Sequence, residues 1–259
     1  MSIVEKLTEG IVNRDMKREG EALLNKWTQT GLLEGLEALE DLARLRYTTS
    51  HPLDMDAELI AAHRDSEVLM PYLHLPIQSG SNDILAAMNR RHRVDDYLRV
   101  VDLLRNARPD IALSSDFIVG FPGETVADFE STLALVRNVG YATAYSFKYS
   151  ARPGTPSAAL ENQIEEHVRV ERLAELQSLI NSQQTSFNQH TVGLEFDVLL
   201  ERRGRFDGQL IGRSPYNQAV HVNNAVKGNC KIGDITRVRV DEAGPHSVAA
   251  RVAASANAA

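Results

Sequence analysis

The sequence predicts an α/β domain followed by a small all-β barrel, and two observations carry that prediction. Short apolar strands alternate with amphipathic helices between residues 41 and 190, a pattern typical of parallel strands joined by crossover helices in a barrel or an open sheet. Between residues 191 and 252 apolar side chains recur at every second position, and glycines separate the runs. This second pattern predicts about five short strands in a barrel of the kind that often binds oligonucleotides.

Length and composition are those of a globular chain. The 259 residues are 43% apolar, enough to fill the core of one large domain or of a medium and a small one. No apolar run is long enough to span a bilayer and the N-terminus lacks a signal-peptide core, so we expect a cytoplasmic chain with no membrane partner. The net charge of −7 argues against nonspecific attraction of the whole chain to nucleic acid.

Four strands and the helices between them are expected in the α/β domain. Residues 1–40 are predicted to form a separate helical segment, because their apolar residues have helical spacing. The α/β domain should then end in a long helix from about residue 163 to residue 188, and the tail at 253–259 should be disordered. The predicted strands are Arg44–Thr48, Tyr72–Pro76, Ile111–Val119 and Ala144–Tyr149.

Small and polar residues are concentrated where these strands would end. The four segments are residues 48–52, 74–81, 114–125 and 149–156. In parallel α/β folds the carboxyl ends of the strands face the active site. Glycine and serine there allow a ligand to approach the backbone, and Gln78, Asp116 and Arg152 could fix its polar groups. Ordinary strand-to-helix turns, with Ser81 and Thr125 as helix caps, explain the same residues equally well.

Taken together, the four segments and Arg90-Arg91-His92 resemble the C-terminal half of the radical S-adenosylmethionine domain of the methylthiotransferases, especially the MiaB-like tRNA enzymes. The predicted β-barrel resembles the TRAM domain with which such enzymes hold tRNA. The resemblance covers roughly residues 36–252. It therefore implies a partial radical SAM (β/α) barrel at 41–190 and an OB-like TRAM barrel at 191–252.

The resemblance implies a radical reaction on tRNA. In the family, S-adenosylmethionine bound to a [4Fe–4S] cluster is cleaved to a 5′-deoxyadenosyl radical. That radical abstracts hydrogen from C2 of an N6-isopentenyladenosine beside the anticodon, and a methylthio group is added there. By the same resemblance, five residues occupy positions that line the cofactor and substrate cleft, namely Gln78, Ser79, Asp116, Gly120 and Arg152. The stretch from Gly120 to Glu124 corresponds to the region that packs near the adenine.

The cysteine count departs from the family pattern. Three cysteines in a CxxxCxxC loop should hold the catalytic cluster, and the family has an N-terminal domain with three more. This sequence contains one cysteine, Cys230, which lies in the predicted β-barrel and reads as a small buried side chain. We therefore expect that the segment holding the cluster is missing, that this chain binds no cluster and has no metal or catalytic residues of its own, and that it is inactive alone.

Residues 1–40 weakly resemble the N-terminus of major capsid proteins of contractile-tailed phages. A natural fusion, a recombinant gene or an assembly artefact would explain that resemblance. A plain amphipathic helix that covers the open side of a truncated sheet explains the apolar positions as well.

Basic residues of the C-terminal barrel could follow an RNA backbone. Between residues 192 and 252 nine Lys or Arg face seven Asp or Glu, a net charge of +2. A solvated surface explains so modest an excess equally well. Tyr216 and His221 could stack on bases or serve in packing. The candidate RNA-binding residues are Arg202, Arg203, Arg205, Arg213, Lys231, Arg237 and Arg239.

Three functional hypotheses follow. The first is an enzyme fragment from a tRNA methylthiotransferase that engages the anticodon region of tRNA. The second is a noncatalytic RNA-binding protein whose α/β part serves only as a scaffold. The third is the product of a chimeric or truncated gene. The single cysteine counts against autonomous catalysis in all three.

Overall fold

The computed structural model describes residues 42–49 and 51–253. The predicted helical segment at 1–40 and nearly all of the predicted tail at 253–259 lie outside the described residues. Within this part of the chain, no helix is both long and apolar enough to cross a membrane.

A parallel sheet and its crossover helices form the α/β unit. The sheet order is β1-β2-β3, and each strand follows a helix or leads into one. The predicted strands at 72–76, 111–119 and 144–149 are thus present, with ends shifted by one or two residues. The elements in chain order are α1 (Ala57–Asp65), β1 (Tyr72–His74), α2 (Asn82–Ala87), α3 (Val94–Ala107), β2 (Ala112–Val119), α4 (Val126–Val139), β3 (Thr143–Lys148) and α5 (Glu166–His190).

The predicted first strand, Arg44–Thr48, is an extended segment and not a regular strand. It forms two isolated parallel bridges, from Leu45 to Leu69 and from Thr48 to His74. Only two bridges form because β1 is just three residues long and offers little edge for pairing. The segment nevertheless occupies the position of a further parallel strand beside β1.

The helices cover only one face of the sheet. Leu113, Phe117 and Val119 of β2 point toward the helices and are at most 2% exposed. There they join one large core that includes Leu133 of α4 and Leu176 of α5. The opposite face carries polar and aromatic side chains, and Tyr145 and Phe147 of β3 are 51% and 54% exposed. A ligand can therefore reach this second face.

The C-terminal unit is a closed barrel of five strands, in the order β4-β5-β6-β8-β7. The alternation of buried and exposed residues follows the predicted period of two, as in β4, where Phe196, Val198 and Leu200 point inward. One strand, Leu210–Arg213, was not among the runs that the sequence predicts. The barrel strands are β4 (Glu195–Arg203), β5 (Leu210–Arg213), β6 (Ala219–Asn223), β7 (Ile235–Ala243) and β8 (Ser247–Val252).

The barrel is docked against the amino-terminal ends of the sheet strands and the last turn of α5. Asn188 of α5 is 2% exposed and donates from Nδ2 to the carbonyl oxygens of Gly244, at 2.9 Å, and Pro245, at 3.2 Å. Its Oδ1 accepts a hydrogen bond of 2.9 Å from Gln218. From the extended segment, Arg44 donates to the carbonyl oxygen of Asp197 at 2.8 Å. The two units are thus joined through buried polar contacts.

Candidate functional site

The carboxyl ends of β1, β2 and β3 border an open cleft of about 750 Å³. Three of the predicted cofactor residues, Gln78, Asp116 and Arg152, line it together. They reach it from three different strand ends, as the parallel arrangement predicts. Arg90, of the Arg90-Arg91-His92 motif, lies on the opposite wall. The remaining lining residues are Ala87, Met88, Asn89, Ile118, Phe121, Phe147, Lys148, Tyr149, Ser150, Thr155, Pro156 and Ser157.

Gln78 is held at the cleft by an unusual backbone. Its φ is +82°, a left-handed conformation that costs free energy for a residue with a Cβ. Two backbone hydrogen bonds fix it there, from Gln78 N to Asp116 O at 3.0 Å and from Ile118 N to Gln78 O at 2.9 Å. Its side-chain amide forms no hydrogen bond with any described residue although only 8% of Gln78 is exposed. The amide is therefore available to a ligand in the cleft.

Asp116 belongs to a polar network on the uncovered face of the sheet. Its Oδ2 lies 3.4 Å from His74 Nε2. His74 Nδ1 is 2.6 Å from Ser114 Oγ, which is 2.9 Å from the hydroxyl of Tyr72. Because β1 and β2 pair in register, His74 and Ser114 are direct neighbours. The network fixes the position of the Asp116 carboxylate at the edge of the cleft.

Ser79 and Gly120 do not line this cleft. Ser79 is fully buried, with its hydroxyl 3.4 Å from that of Thr132 on α4. Gly120 has a φ of +70°, and a Cβ there would lie 2.3 Å from Arg169 Cγ. The structure gives both residues a role in packing the loops behind the cleft, and whether they also support a ligand stays a prediction.

A buried ion pair shapes the loop from Gly120 to Glu124. The Glu124 carboxylate, with a side-chain exposure of 0%, accepts a hydrogen bond of 2.6 Å from Arg172 of α5 and one of 2.7 Å from Gly120 N. Burial raises the pKa of Glu124, while the bonds from Gly120 and Arg172 act in the opposite direction. Because the guanidinium lies within hydrogen-bond distance, we take the ionised pair as the folded form. Sequence reasoning assigned Glu124 only to helix electrostatics, since its partner lies 48 residues further along the chain.

Sequence reasoning also missed the aromatic residues beside the cleft. Tyr145 and Phe147 alternate with buried positions on β3 and share the face of Asp116, because Asp116 pairs with Tyr145 in the register. Tyr145 packs edge-on against His74, with ring centroids 6.2 Å apart. The alternation of aromatic residues in the predicted strand at 144–149 was the available signal.

No three-thiolate site is present. Among the described residues no group of three or more His, Cys, Asp or Glu is arranged to hold a metal ion. Cys230, the only cysteine of the sequence, lies in the barrel unit with its Sγ 3.8 Å from Gly228 O. The residues of this chain therefore do not fit a [4Fe–4S] cluster, whereas the cleft offers a carboxylate, a guanidinium and an amide to a polar organic ligand.

The predicted RNA-binding residues fall into two groups on the barrel. Arg213 and Arg237 lie toward the docked end, where Arg213 Nε is 3.8 Å from Glu201 and Arg237 Nη1 is 3.6 Å from Asp197. Arg239 is the strand neighbour of Glu195 on β4. Arg202, Arg203, Arg205 and Lys231 lie toward the opposite end and form no ion pair with the described residues.

Of the two aromatic candidates in the barrel unit, Tyr216 is a packing residue. Its ring makes edge-on contacts with Phe187 and Phe196, at centroid distances of 5.9 and 6.2 Å. It therefore bridges α5 and the barrel and is not available as a stacking platform. His221 is half-buried on the outer side of β6.

Comparisons with known proteins agree with this architecture. The family model for the radical SAM superfamily matches residues 11–136, and that for the TRAM domain matches residues 189–253. The chain is 56% identical over 230 residues to tRNA-2-methylthio-N(6)-dimethylallyladenosine synthase of Agrobacterium fabrum, a match that covers 89% of this chain and 50% of that protein. The chain thus spans about half the length of the curated relative it matches.

Among solved structures, coproporphyrinogen III oxidase from Escherichia coli, described as a radical SAM enzyme, matches with a TM-score of 0.45 and 14% identity. That match covers 68% of this chain and 46% of the other.

Proposed function

The chain belongs to the MiaB-like radical SAM methylthiotransferases that carry a TRAM domain, and from that premise we propose that it forms the cofactor-cleft and tRNA-binding part of such an enzyme. The reaction proposed for the whole enzyme is methylthiolation at C2 of N6-isopentenyladenosine next to the anticodon. Convergence of Gln78, Asp116 and Arg152 on one cleft carries the proposal. A role on tRNA would place the protein in the cytoplasm.

The proposed ligand of the cleft is S-adenosylmethionine. When bound to a reduced cluster, this cofactor supplies the radical that starts the reaction. The chemistry of the lining residues suits it, because the Asp116 carboxylate can accept hydrogen bonds from hydroxyl or ammonium groups and the Arg152 guanidinium can pair with a carboxylate. Gln78 adds an amide that can both donate and accept.

Titration calorimetry with S-adenosylmethionine tests this assignment on the purified chain. We expect saturable binding that weakens roughly tenfold or more in Asp116→Ala, because a hydrogen bond to a charged group contributes about 1.5–3 kcal/mol. Asp110→Ala is the matched control, since this carboxylate lies just before β2, outside the cleft lining. Equal binding by Asp116→Ala and the unaltered chain would count against the cleft as the cofactor site.

A noncatalytic RNA-binding protein is the second candidate, favoured by the presence of one cysteine. A [4Fe–4S] cluster with an open iron needs three thiolates. We therefore expect no stoichiometric iron or sulfide after anaerobic reconstitution of this chain, and no 5′-deoxyadenosine. Cluster binding with cleavage of S-adenosylmethionine would support catalysis by the chain itself, whereas tRNA binding without cofactor binding would support the second candidate.

A further inference from the structure

The hairpin between β4 and β5 carries an exposed aromatic side chain. Phe206 is 67% exposed, more than any other Phe or Tyr among the described residues. It lies at the end of the barrel that points away from the α/β unit, because β4 leaves the docked end near Asp197 and reaches the hairpin at Arg203. A phenylalanine so exposed gains nothing from the barrel core.

The shape of this hairpin is fixed by Gln209. Its side chain is almost fully buried, accepts a hydrogen bond of 3.1 Å from Arg205 N and donates one of 2.8 Å to Asn223. Its backbone closes the loop through bonds from Gly204 N and to Phe206 O. Gly204 is required because a Cβ there would lie 2.2 Å from Gln209 Oε1. Exposure of Phe206 is therefore a property of an ordered turn.

Two further loops meet the hairpin at the same end of the barrel. A hydrogen bond from Val226 N to Gly208 O brings in the turn that holds Lys227, and one from Gly233 N to Leu200 O brings in the loop that holds Lys231. Val226 and Ile232, in these loops, are 52% and 54% exposed. We call this surface the barrel tip; its side chains are Arg202, Arg203, Arg205, Phe206, Lys227 and Lys231.

Positive charge is concentrated at the barrel tip. The three loops and the end of β4 carry five exposed cations against the two carboxylates of Asp207 and Asp234. None of the five cations forms an ion pair with a described residue. The rest of residues 192–252 carries four cations against five carboxylates. The modest net charge of the segment thus hides a polarised distribution that favours an anionic partner at one end.

We propose that the barrel tip binds RNA, with phosphates on its arginines and lysines and one unpaired base stacked on Phe206. Aromatic rings within a basic surface are the arrangement by which proteins hold single-stranded nucleic acid. Three of the cations are arginines, whose planar guanidinium groups bind phosphate through two parallel hydrogen bonds. The inference rests on the proposed function, which supplies tRNA as the RNA, and adds the chemistry by which its loop is recognised.

Binding of two labelled RNAs to the full chain tests the stacking. One is a tRNA anticodon stem-loop, and the other is a blunt duplex of equal charge without unpaired bases. We expect Phe206→Ala to weaken stem-loop binding about tenfold and to leave duplex binding nearly unchanged, and Phe206→Trp to retain both. Leu160→Ala is the matched control, because Leu160 is 40% exposed and lies outside the barrel.

The triple variant Arg202→Ala, Arg203→Ala and Arg205→Ala tests the charge. It should weaken binding of both RNAs and reduce its salt dependence by up to about three phosphate contacts. Undiminished stem-loop binding by Phe206→Ala, with a loss in the arginine variant, would overturn the stacking while leaving tRNA binding by the barrel intact. Undiminished binding by both variants would overturn the barrel tip as an RNA surface.

Cosedimentation with phosphatidylserine vesicles separates RNA from a membrane as the partner. Phe206-dependent vesicle binding without RNA binding would overturn the proposal. Titration of S-adenosylmethionine into the same variants should give unchanged binding, because the cleft lies in the other unit. A failure of stacking is thereby distinguished from a failure of the proposed cofactor site.

Discussion

At Gly120 the backbone and the neighbouring side chain both require glycine. The φ of +70° disfavours a Cβ, and Arg169 Cγ fills the space where it would lie. The Arg169 side chain has little freedom to move aside, because its guanidinium donates to Tyr149 O at 2.8 Å and pairs with Glu166 at 2.8 Å. The loop and the start of α5 therefore fit together through this residue.

We expect Gly120→Ala to be more destabilising than Gly140→Ala. Gly140, the C-terminal cap of α4, has a φ of +62° but nothing within 4 Å of its missing Cβ. Both variants should lose about 1–2 kcal/mol for the left-handed backbone, and Gly120→Ala should lose about 1–3 kcal/mol more through overpacking. Urea unfolding measures the difference, and equal losses would show that Arg169 yields without cost.

His63 makes stability depend on pH. Burial, with Arg108 as a second cause, lowers the pKa of His63 to about 4 in the folded chain, against about 6.5 in the unfolded chain. The unfolded state thus binds more protons between these values, so stability should fall as pH decreases from about 6.5 to about 4. The loss should be on the order of 3 kcal/mol.

Replacing His63 should remove this part of the pH dependence. At pH 7.5, His63→Met should itself be less stable by about 1–2 kcal/mol, because the Tyr47 hydroxyl, 2.7 Å from His63 Nε2, loses its partner. Below pH 6.5 the gap between the variant and the unaltered chain should narrow. His167→Gln, at an exposed position, serves as control. Parallel pH profiles for His63→Met and the unaltered chain would contradict the assignment.

At the scale of elements, Asp128 joins the starts of two helices. It accepts hydrogen bonds from Thr125 N at 2.9 Å in the capping box of α4, and from Ser81 Oγ, the cap of α2, at 2.6 Å. Burial acts to raise the pKa of Asp128, but the bonds from Ser81 and Thr125 prevail and lower it. The stability contributed by this carboxylate should therefore be lost as pH falls through that lowered pKa.

Asp128→Ala should cost more than the loss of one helix cap. Thr125→Ala removes the cap of α4 alone and should destabilise by about 0.5–2 kcal/mol. Asp128→Ala should exceed it by about 1 kcal/mol, because it also removes the partner of Ser81. Thermal unfolding of both, with the exposed Val126→Ala as control, measures the order. A smaller loss for Asp128→Ala than for Thr125→Ala would show that the two helix starts are independent.

The elements that sequence reasoning found are those with a local cause. Apolar periodicity marks β4 and α4, and the capping box at Thr125 marks a helix start. The strand at Leu210–Arg213 was missed because all of Leu210, Ile211 and Gly212 are buried, so no alternation shows. Gly212 is needed there because a Cβ would lie 2.1 Å from the carbonyl oxygen of Leu199 on the neighbouring strand.

The cleft could be predicted in part for the same reason. Gln78, Asp116 and Arg152 follow strands, and the carboxyl ends of parallel strands meet at one edge. The placement of Ser79 behind the cleft depends on the packing of α4, and the partner of Glu124 comes from α5. Contacts so distant along the chain leave no trace in local spacing, which is why both escaped sequence reasoning.

At the scale of the whole molecule, the barrel tip and the cleft are parts of one body. The barrel is docked through the strand ends opposite its tip, and the cleft lies at the carboxyl ends of the sheet strands, away from the docked surface. An RNA held at the tip would therefore have a defined position relative to the cleft only while the dock remains rigid.

Asn188 is the residue on which that rigidity depends most. Its three hydrogen bonds to Gly244, Pro245 and Gln218 are buried, so Asn188→Ala leaves two carbonyl oxygens and an amide without this partner. We expect hydrogen exchange of the backbone around residues 243–248 to become roughly tenfold faster or more, because local opening no longer breaks these bonds. Asn181→Ala, exposed on the same helix, should leave exchange unchanged. If Asn188→Ala also left it unchanged, the arginine contacts of residues 44–46 would have to hold the barrel alone, and the joint would not depend on α5.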